Sequence, residues 1–367
     1  MSKKRILYVT TSLGFGGAEK LILYYLKELD KSKYEFFVCC LREKPEDLLQ
    51  DYSNYAEVIN LKIRNKFNPS TIFKLLKVFK KLKPDIIHTH LFQPRVYTSI
   101  VRLFYNHSVF ITHKHNNVNL RKHHIFILME MFANLSYKKI IAISKSVKDS
   151  LKRFEFIPDE KIYVLPNCIN FNDFRKNVDY KENTDKKQLV IGVVGRLERQ
   201  KGIKYLLMAM KYILSKFPNA RLEIIGDGSL YSELKEISVK LGISNSVIFF
   251  GKFANVIPFY NKMDVFVLPS IYEGFGIVLL EAMASGVPVV ATNVEGIKEV
   301  VIDSKCGLLV LPENPESIAK AVLTIIENQN LRKSLISEGV KRAQLFDVQE
   351  HVMKLDKLYT NLLGTES

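Results

Sequence analysis

Short apolar runs of four to eight residues alternate with longer amphipathic stretches along almost the whole chain, and the pattern runs twice. Strands separated by helix-length connections pair in parallel, with helices covering the sheet faces. In the first half, strands are predicted over 5–10, 34–41, 58–61, 85–90, 109–112, 139–143 and 161–165, with helices over 18–29, 69–83, 93–104 and 125–137. Residues 171–187 are polar, charged and without period, and read as a linker. The pattern restarts with strands over 188–194, 220–225, 247–250, 265–268 and 287–291, helices over 204–217, 230–241, 256–261 and 277–285, and helix from 315 almost to the end. The expected fold class is α/β, two doubly wound, Rossmann-like parallel-sheet domains facing across a cleft. They cover 1–170 and 188–345, with a closing helix over 346–367. Such sheets take ligands beyond the carboxyl ends of their strands, so chemistry is sought there.

The 367 residues suit two cores better than one. No run approaches the ~20 apolar residues that span a bilayer, and the apolar stretch after the basic start is too short for a secretory leader. Cys39, Cys40, Cys168 and Cys306 match neither a zinc spacing nor a disulfide framework, which predicts inert thiols in a reducing cytoplasm. The formal charge of +16 is lopsided: residues 1–188 hold 34 Lys and Arg against 19 Asp and Glu, and the remainder 20 against 19. The densest stretch runs from Lys62 through Arg64, Lys66, Lys74, Lys77, Lys80 and Lys81 to Lys83 without an acid. Its helical part sets Ile72, Phe73, Leu76 and Phe79 on one face and Lys74, Lys77 and Lys81 on another. That reads either as a helix packed on its sheet with solvated lysines or as a surface for anionic lipid. The charge of the whole half favours the second, with the protein peripheral on the inner face of the plasma membrane. No nucleic-acid motif accompanies the charge, so nucleic acid is not expected as a partner.

Four clusters fall at strand ends. Gly14, Gly16 and Gly17, before Ala18 and Glu19, read equally as a tight strand–helix turn, which uses glycine anyway, or as a turn that lets an anion approach backbone and a helix start. Arg196, Arg199 and Lys201, between Gly195 and Gly202, read as a solvated basic loop or as cations set beside a helix N-terminus, where a diphosphate would sit; their clustering in a half with almost no net charge favours the second. Glu273 and Glu281, eight apart, bracket Gly274, Phe275, Gly276 and Ile277; paired carboxylates accept hydrogen bonds from vicinal hydroxyls, as in a sugar or ribose. The fourth is His88 and His90, with His113 and His115 near the next strand end. No set of three or four ligands with a supporting carboxylate is evident, so no metal is expected. His88 reads equally as a core residue; His90, where its strand emerges, is better placed to reach a substrate.

The run from Glu273 to Thr292 resembles the Glu-x7-Glu signature of family 4 glycosyltransferases, which have the GT-B fold. Gly16–Glu19, the strand ending at His90, Gly195-Arg196 with Lys201-Gly202, residues 225–228 and residues 264–270 are similar to further parts of that family, so the resemblance spans almost the whole chain. It departs at Pro166-Asn167-Cys168-Ile169-Asn170, where the family often has glycine third, which touches hinge geometry more than chemistry. The resemblance implies a retaining transfer from a nucleotide-diphosphate sugar, UDP favoured, to a saccharide or lipid-linked acceptor in cell-surface polysaccharide or glycolipid synthesis, without metal or cofactor. Arg196 and Lys201 would hold the diphosphate, with Gly16 and Gly17 approaching it. Glu281 would take the ribose, and Glu273 with the amides of 274–277 the donor sugar. The base would lie near 226–228 and 251–253. His90, with His113 nearby, would meet the reacting sugar. A nucleotide-sugar epimerase, a phosphorylase or a non-catalytic sugar-nucleotide-binding subunit on the same fold are the alternatives.

Overall fold

Strand ends, turns and apolar faces set the architecture of the computed structural model, which describes residues 2–14, 16–42, 48–65, 68–115, 124–175 and 188–364, the side chains of 124–127 excepted. Phe15, Lys66 and most of the expected linker, 176–187, fall outside the described residues. The chain divides into two compact units, Met1–Cys168 with Val348–Ser367, and Ile169–Asp347.

The first unit runs β1 (Lys4–Thr10), α1 (Gly17–Glu28), β2 (Tyr34–Cys40), α2 (Leu49–Ser53), β3 (Glu57–Asn60), α3 (Ser70–Leu82), β4 (Ile86–His90), α4 (Phe92–Arg102), β5 (Val109–Lys114), α5 (His124–Leu135), β6 (Lys139–Ala142), α6 (Lys145–Glu155) and β7 (Ile162–Val164). The second runs α7 (Phe171–Arg175), β8 (Val190–Val194), α8 (Ile203–Lys216), β9 (Arg221–Ile225), α9 (Tyr231–Lys240), β10 (Val247–Gly251), α10 (Ile257–Tyr260), β11 (Val265–Leu268), α11 (Ile277–Ala284), β12 (Val289–Thr292), α12 (Glu295–Lys298), β13 (Leu308–Val310), α13 (Pro315–Glu327) and α14 (Gln329–Gln344). Helix α15 (Val348–Leu363) then returns to the first unit.

Seven strands lie in the order β3-β2-β1-β4-β5-β6-β7 and six in the order β10-β9-β8-β11-β12-β13. Every pairing in both sheets is parallel. Parallel strands buried on both faces need continuous apolar sequence, and β1 supplies it: Ile6, Leu7, Tyr8 and Val9 are wholly buried. Strand order reverses between β1 and β4 in one sheet and between β8 and β11 in the other. These reversals open a crevice at the carboxyl ends, so the loops after β1, β4, β8 and β11 are the ones positioned for ligands. They are the four clusters singled out in the sequence.

Three expectations change. The stretch read as linker opens with a helix, α7, whose Phe174 is buried and meets the Tyr260 ring at 6.1 Å between centroids. Helix α6 and strand β13 are not expected from the sequence: α6 carries Lys, Asp and Arg on its open side and β13 has three residues, so neither shows a long apolar signal. The inward face of α3 is also rotated from the one expected. Thr71, Leu75, Phe79 and Leu82 are buried, Ile72 and Leu76 half-buried, and Phe73 is 73% exposed. Both faces repeat at helical spacing, and only the packing partners decide between them; Phe79 is chosen by the edge-on rings of Tyr105 and Phe110.

Candidate active site

In the second unit the loop after β8 is folded tightly against the loop after β11. Residues Arg199–Lys201 make one 3₁₀ turn ended by Gly202 at φ +61. A Cβ on Gly202 would stand 2.1 Å from the Pro269 carbonyl oxygen, so glycine is required by conformation and by space. The Gln200 carbonyl accepts from the Ile271 amide at 2.8 Å and its side-chain amide donates to the Tyr272 carbonyl at 3.1 Å. Those bonds deliver Lys201 to Glu273: Nζ lies 2.5 Å from Oε2, and the side chains are only 13% and 11% exposed. The Ser270 hydroxyl donates to the same oxygen at 3.3 Å, and the Gly274 amide to Oε1 at 3.2 Å. Arg196 is exposed, and its guanidinium donates to Gln200 Oε1 at 3.4 Å.

Helix α11 begins at Gly276, in the left-handed region at φ +85, and no side chain caps it. The Leu279 amide donates back to the Gly276 carbonyl at 3.0 Å, and the amides ahead of it carry the positive end of the helix dipole. Glu281, in the second turn, is 4% exposed. Tyr260, at the end of α10 and fully buried, donates its hydroxyl to Glu281 Oε2 at 2.8 Å. Burial, and then the neighbouring Glu281 charge, push the Tyr260 phenol well above its usual range, so it stays a donor. Phe275 is 2% exposed and packs edge-on against Phe346 at 5.6 Å. Its ring belongs to the core, so only its backbone can serve a ligand.

In the first unit, Gly16 caps α1 in extended conformation without a side-chain hydrogen bond, and nothing lies within 4 Å of a Cβ placed on Gly17. The β4 end carries an unusual histidine group. His88 and His90 alternate onto one face, and the register sets His90 beside His113 of β5. All three are buried, at 0%, 0% and 2%. His88 Nδ1 meets the Tyr359 hydroxyl at 2.7 Å, and that hydroxyl meets Tyr8 at 3.2 Å. His90 Nδ1 meets His115 Nε2 at 3.2 Å. Among the described residues, the Nε2 atoms of His88 and His90 and both ring nitrogens of His113 are buried without a partner. Burial first, and then neighbouring histidines, hold all three rings well below the ordinary imidazole pKa, so they are neutral. One nitrogen from each lies within 4.8 Å of the others, a spacing from which three imidazoles could draw in on a metal ion. Among the described residues three imidazoles do converge here, without the supporting carboxylate that the sequence reading also sought. Each comes from a strand position that alternation alone would assign to core.

The family 4 glycosyltransferase model matches residues 15–173 and the group 1 glycosyl transferase model residues 174–342. The capsular polysaccharide biosynthesis glycosyltransferase CapM of Staphylococcus aureus is 31% identical over 86% of this chain and 87% of its own length. The chain belongs to the family 4 glycosyltransferases. This glycosyltransferase is also 36% identical to an uncharacterized glycosyltransferase of Methanocaldococcus jannaschii, over 58% of this chain and 57% of that one. It is 24% identical to the Escherichia coli UDP-Gal:alpha-D-GlcNAc-diphosphoundecaprenol alpha-1,3-galactosyltransferase, over 99% of this chain and 98% of that one. Among solved structures, Anabaena HepE in complex with UDP and glucose superimposes with a TM-score of 0.85 at 21% identity, over 98% of this chain and all of that one. The two-unit fold is GT-B.

Within the glycosyltransferase, the residues read from sequence at the ends of β8 and β11 meet in one place. Arg196, Lys201, Glu273, Gly274, Gly276 and Ile277 share a shelf, with Glu281 one turn behind. The direct Lys201–Glu273 pair was not foreseen, because the two were assigned to different parts of a ligand. Gln200, Ser270 and Tyr260 were missed altogether. Ser270 and Gln200 sit inside motifs already noted and could have been found there; Tyr260 lies in a four-residue helix with no periodic signal.

Proposed function

We propose that this protein transfers a sugar from a UDP-sugar, with retention of anomeric configuration and without a metal, to a saccharide or lipid-linked acceptor in polysaccharide synthesis. The carrying observation is the shelf of Arg196, Lys201 and the uncapped start of α11 around Glu273. As the glycosidic bond to the nucleotide breaks, negative charge gathers on the departing diphosphate and positive charge on the sugar. Fixed cations and oriented amides aimed at the diphosphate lower that barrier without reorganising, at roughly 2.7–4 kcal/mol for a well-placed donor. Arg196 and Lys201 take the diphosphate, Glu281 the ribose, and Glu273 with the amides of 274–277 the donor sugar. Gly16 and Gly17 lend backbone to the diphosphate. His90, neutral and beside His113, is the group assigned to the reacting sugar.

On binding, the diphosphate competes with Glu273 for Lys201, which frees the carboxylate for sugar hydroxyls. The UDP donor is supported by the name of the Escherichia coli relative and by the HepE complex, and a diphosphoundecaprenol-linked acceptor by that same name. The basic first half supports work at the inner face of a membrane. Among the described residues no helix is long and apolar enough to cross a membrane. A panel of nucleotide sugars tested by thermal shift identifies the donor, since a ligand that binds only the folded state raises Tm. Release of UDP only when acceptor is added supports transfer. Turnover of the donor to an isomer, or binding with no turnover on any acceptor, would overturn it.

A further inference from the structure

The described side chains of helix α5, Leu128–Leu135, are arranged inside out. Its inward side carries Glu130, Ala133 and Asn134, exposed by 2%, 0% and 4%. There Glu130 pairs with Arg95 of α4 and Lys114 of β5, and Lys114 reaches Glu155 of α6 at 2.6 Å. Asn134 donates to Glu155 and accepts from Arg95 Nη1 at 3.2 Å. The outward side carries Leu128, Phe132 and Leu135, exposed by 63%, 50% and 74%. Their i, i+4, i+7 spacing lines them along one side of the helix. Single exposed apolar residues are ordinary; a stripe opposite a buried ionic face is not. The interior network also rules out simple rotation of the helix, which would expose an apolar face inward only by burying unpaired charges.

Two neighbours extend the stripe. Helix α4 packs between α3 and α5, and its end presents Leu103 and Phe104, 66% and 65% exposed. Helix α3 presents Phe73 with Lys74, Lys77, Lys80 and Lys81, all exposed. No acid occurs from Lys62 to Lys83. Protein–protein interface cores are depleted in lysine. A bilayer surface with anionic head groups takes this mixture: apolar side chains enter the acyl boundary and lysines meet the head groups, their stems lying along it.

We propose that the outer face of α5, with the end of α4 and the lysines of α3, is the surface on which this protein rests on an anionic bilayer. The inference deepens the reading of a membrane-bound acceptor and rests on it. The test is flotation of the full chain with vesicles of phosphatidylcholine alone and of equimolar phosphatidylcholine and phosphatidylglycerol, for wild type and for the variant Leu128→Ser, Phe132→Ser, Leu135→Ser. Wild type floats with the anionic vesicles. The variant binds them roughly tenfold or more weakly, with an unchanged Tm and an unchanged thermal shift on adding UDP. A second variant, Lys74→Gln, Lys77→Gln, Lys81→Gln, also weakens binding and flattens its dependence on salt. If the serine variant floats like wild type, a different surface is used and the proposal fails while membrane association stands. If wild type floats with neither vesicle, membrane association itself fails. If wild type is a dimer by light scattering and the serine variant a monomer, the face joins copies of this chain and the proposal is overturned.

Discussion

Lys201→Met separates the two jobs given to one ammonium. In the unliganded protein it neutralises Glu273 at 2.5 Å in a site where both side chains are nearly closed off, at 13% and 11% exposure. In the proposed reaction it faces the diphosphate. Breaking a fully buried pair from one side costs about 3–5 kcal/mol. Glu273 keeps the Ser270 hydroxyl and the Gly274 amide, so the expected cost is lower, about 2–3 kcal/mol. At 2–4 °C per kcal/mol for a domain of this size, Tm falls by roughly 4–12 °C. Turnover falls by about 10²–10³, the value of one well-aimed donor to a developing anion. The double variant Lys201→Met, Glu273→Gln removes the stranded carboxylate, so most of the Tm returns while turnover stays low. Thermal unfolding and initial-rate measurements of UDP release read the two effects independently. Turnover of Lys201→Met within about threefold of wild type would refute the electrostatic role. A Tm loss that Glu273→Gln does not relieve would refute the pairing argument.

Tyr260→Phe leaves α10 packed but takes a hydrogen bond from a buried carboxylate; the KM for donor is expected to rise about tenfold with kcat little changed, and equal loss in both would place Tyr260 elsewhere in the reaction. His351, 4% exposed and held at a pKa of about 4 mainly by burial, donates from Nδ1 to the Pro166 carbonyl at 2.7 Å and therefore accepts from the Tyr25 hydroxyl at 2.9 Å. The unfolded chain protonates this ring first as pH drops below 6.5, so its contribution to stability is complete above that value and is lost towards pH 4, by about 3 kcal/mol. His351→Gln keeps both hydrogen bonds without the titration, and its urea midpoint should fall less steeply over that window. Chelator-treated protein should keep its turnover; loss restored by zinc would show that His88, His90 and His113 hold a metal.

How far the sequence could be read depended on how local each signal was. Strand β1, helix α8 and the Glu273–Glu281 frame are spelled out by contiguous residues, and a parallel sheet follows from their alternation. The site loops were legible for the same reason, since each cluster lies within one turn between a strand and a helix. The inward face of α3 was not, because Phe73 and Phe79 share a helical repeat with different neighbours and only Tyr105 and Phe110 decide between them. The histidine group needed the β4–β5 register, which pairs residues more than twenty apart. Helix α5 was visible as an apolar run, but its buried charges come from α4, β5 and α6. The carboxylate in that run reads as an interruption until those partners are known.

Helix α15 supplies Val348, Val352, Leu355, Leu358 and Tyr359 to the same core as Ile6, Tyr8 and Val38, and sets Tyr359 against His88. All of Ile169–Asp347 is synthesised between β7 and that helix. On the ribosome, therefore, the first unit still shows water an unfilled apolar groove after every residue of the second has been added to the chain. A nascent chain halted before Val348 should bind chaperones through its leading half, and the β4 histidines would reach their final setting only after the remainder had emerged.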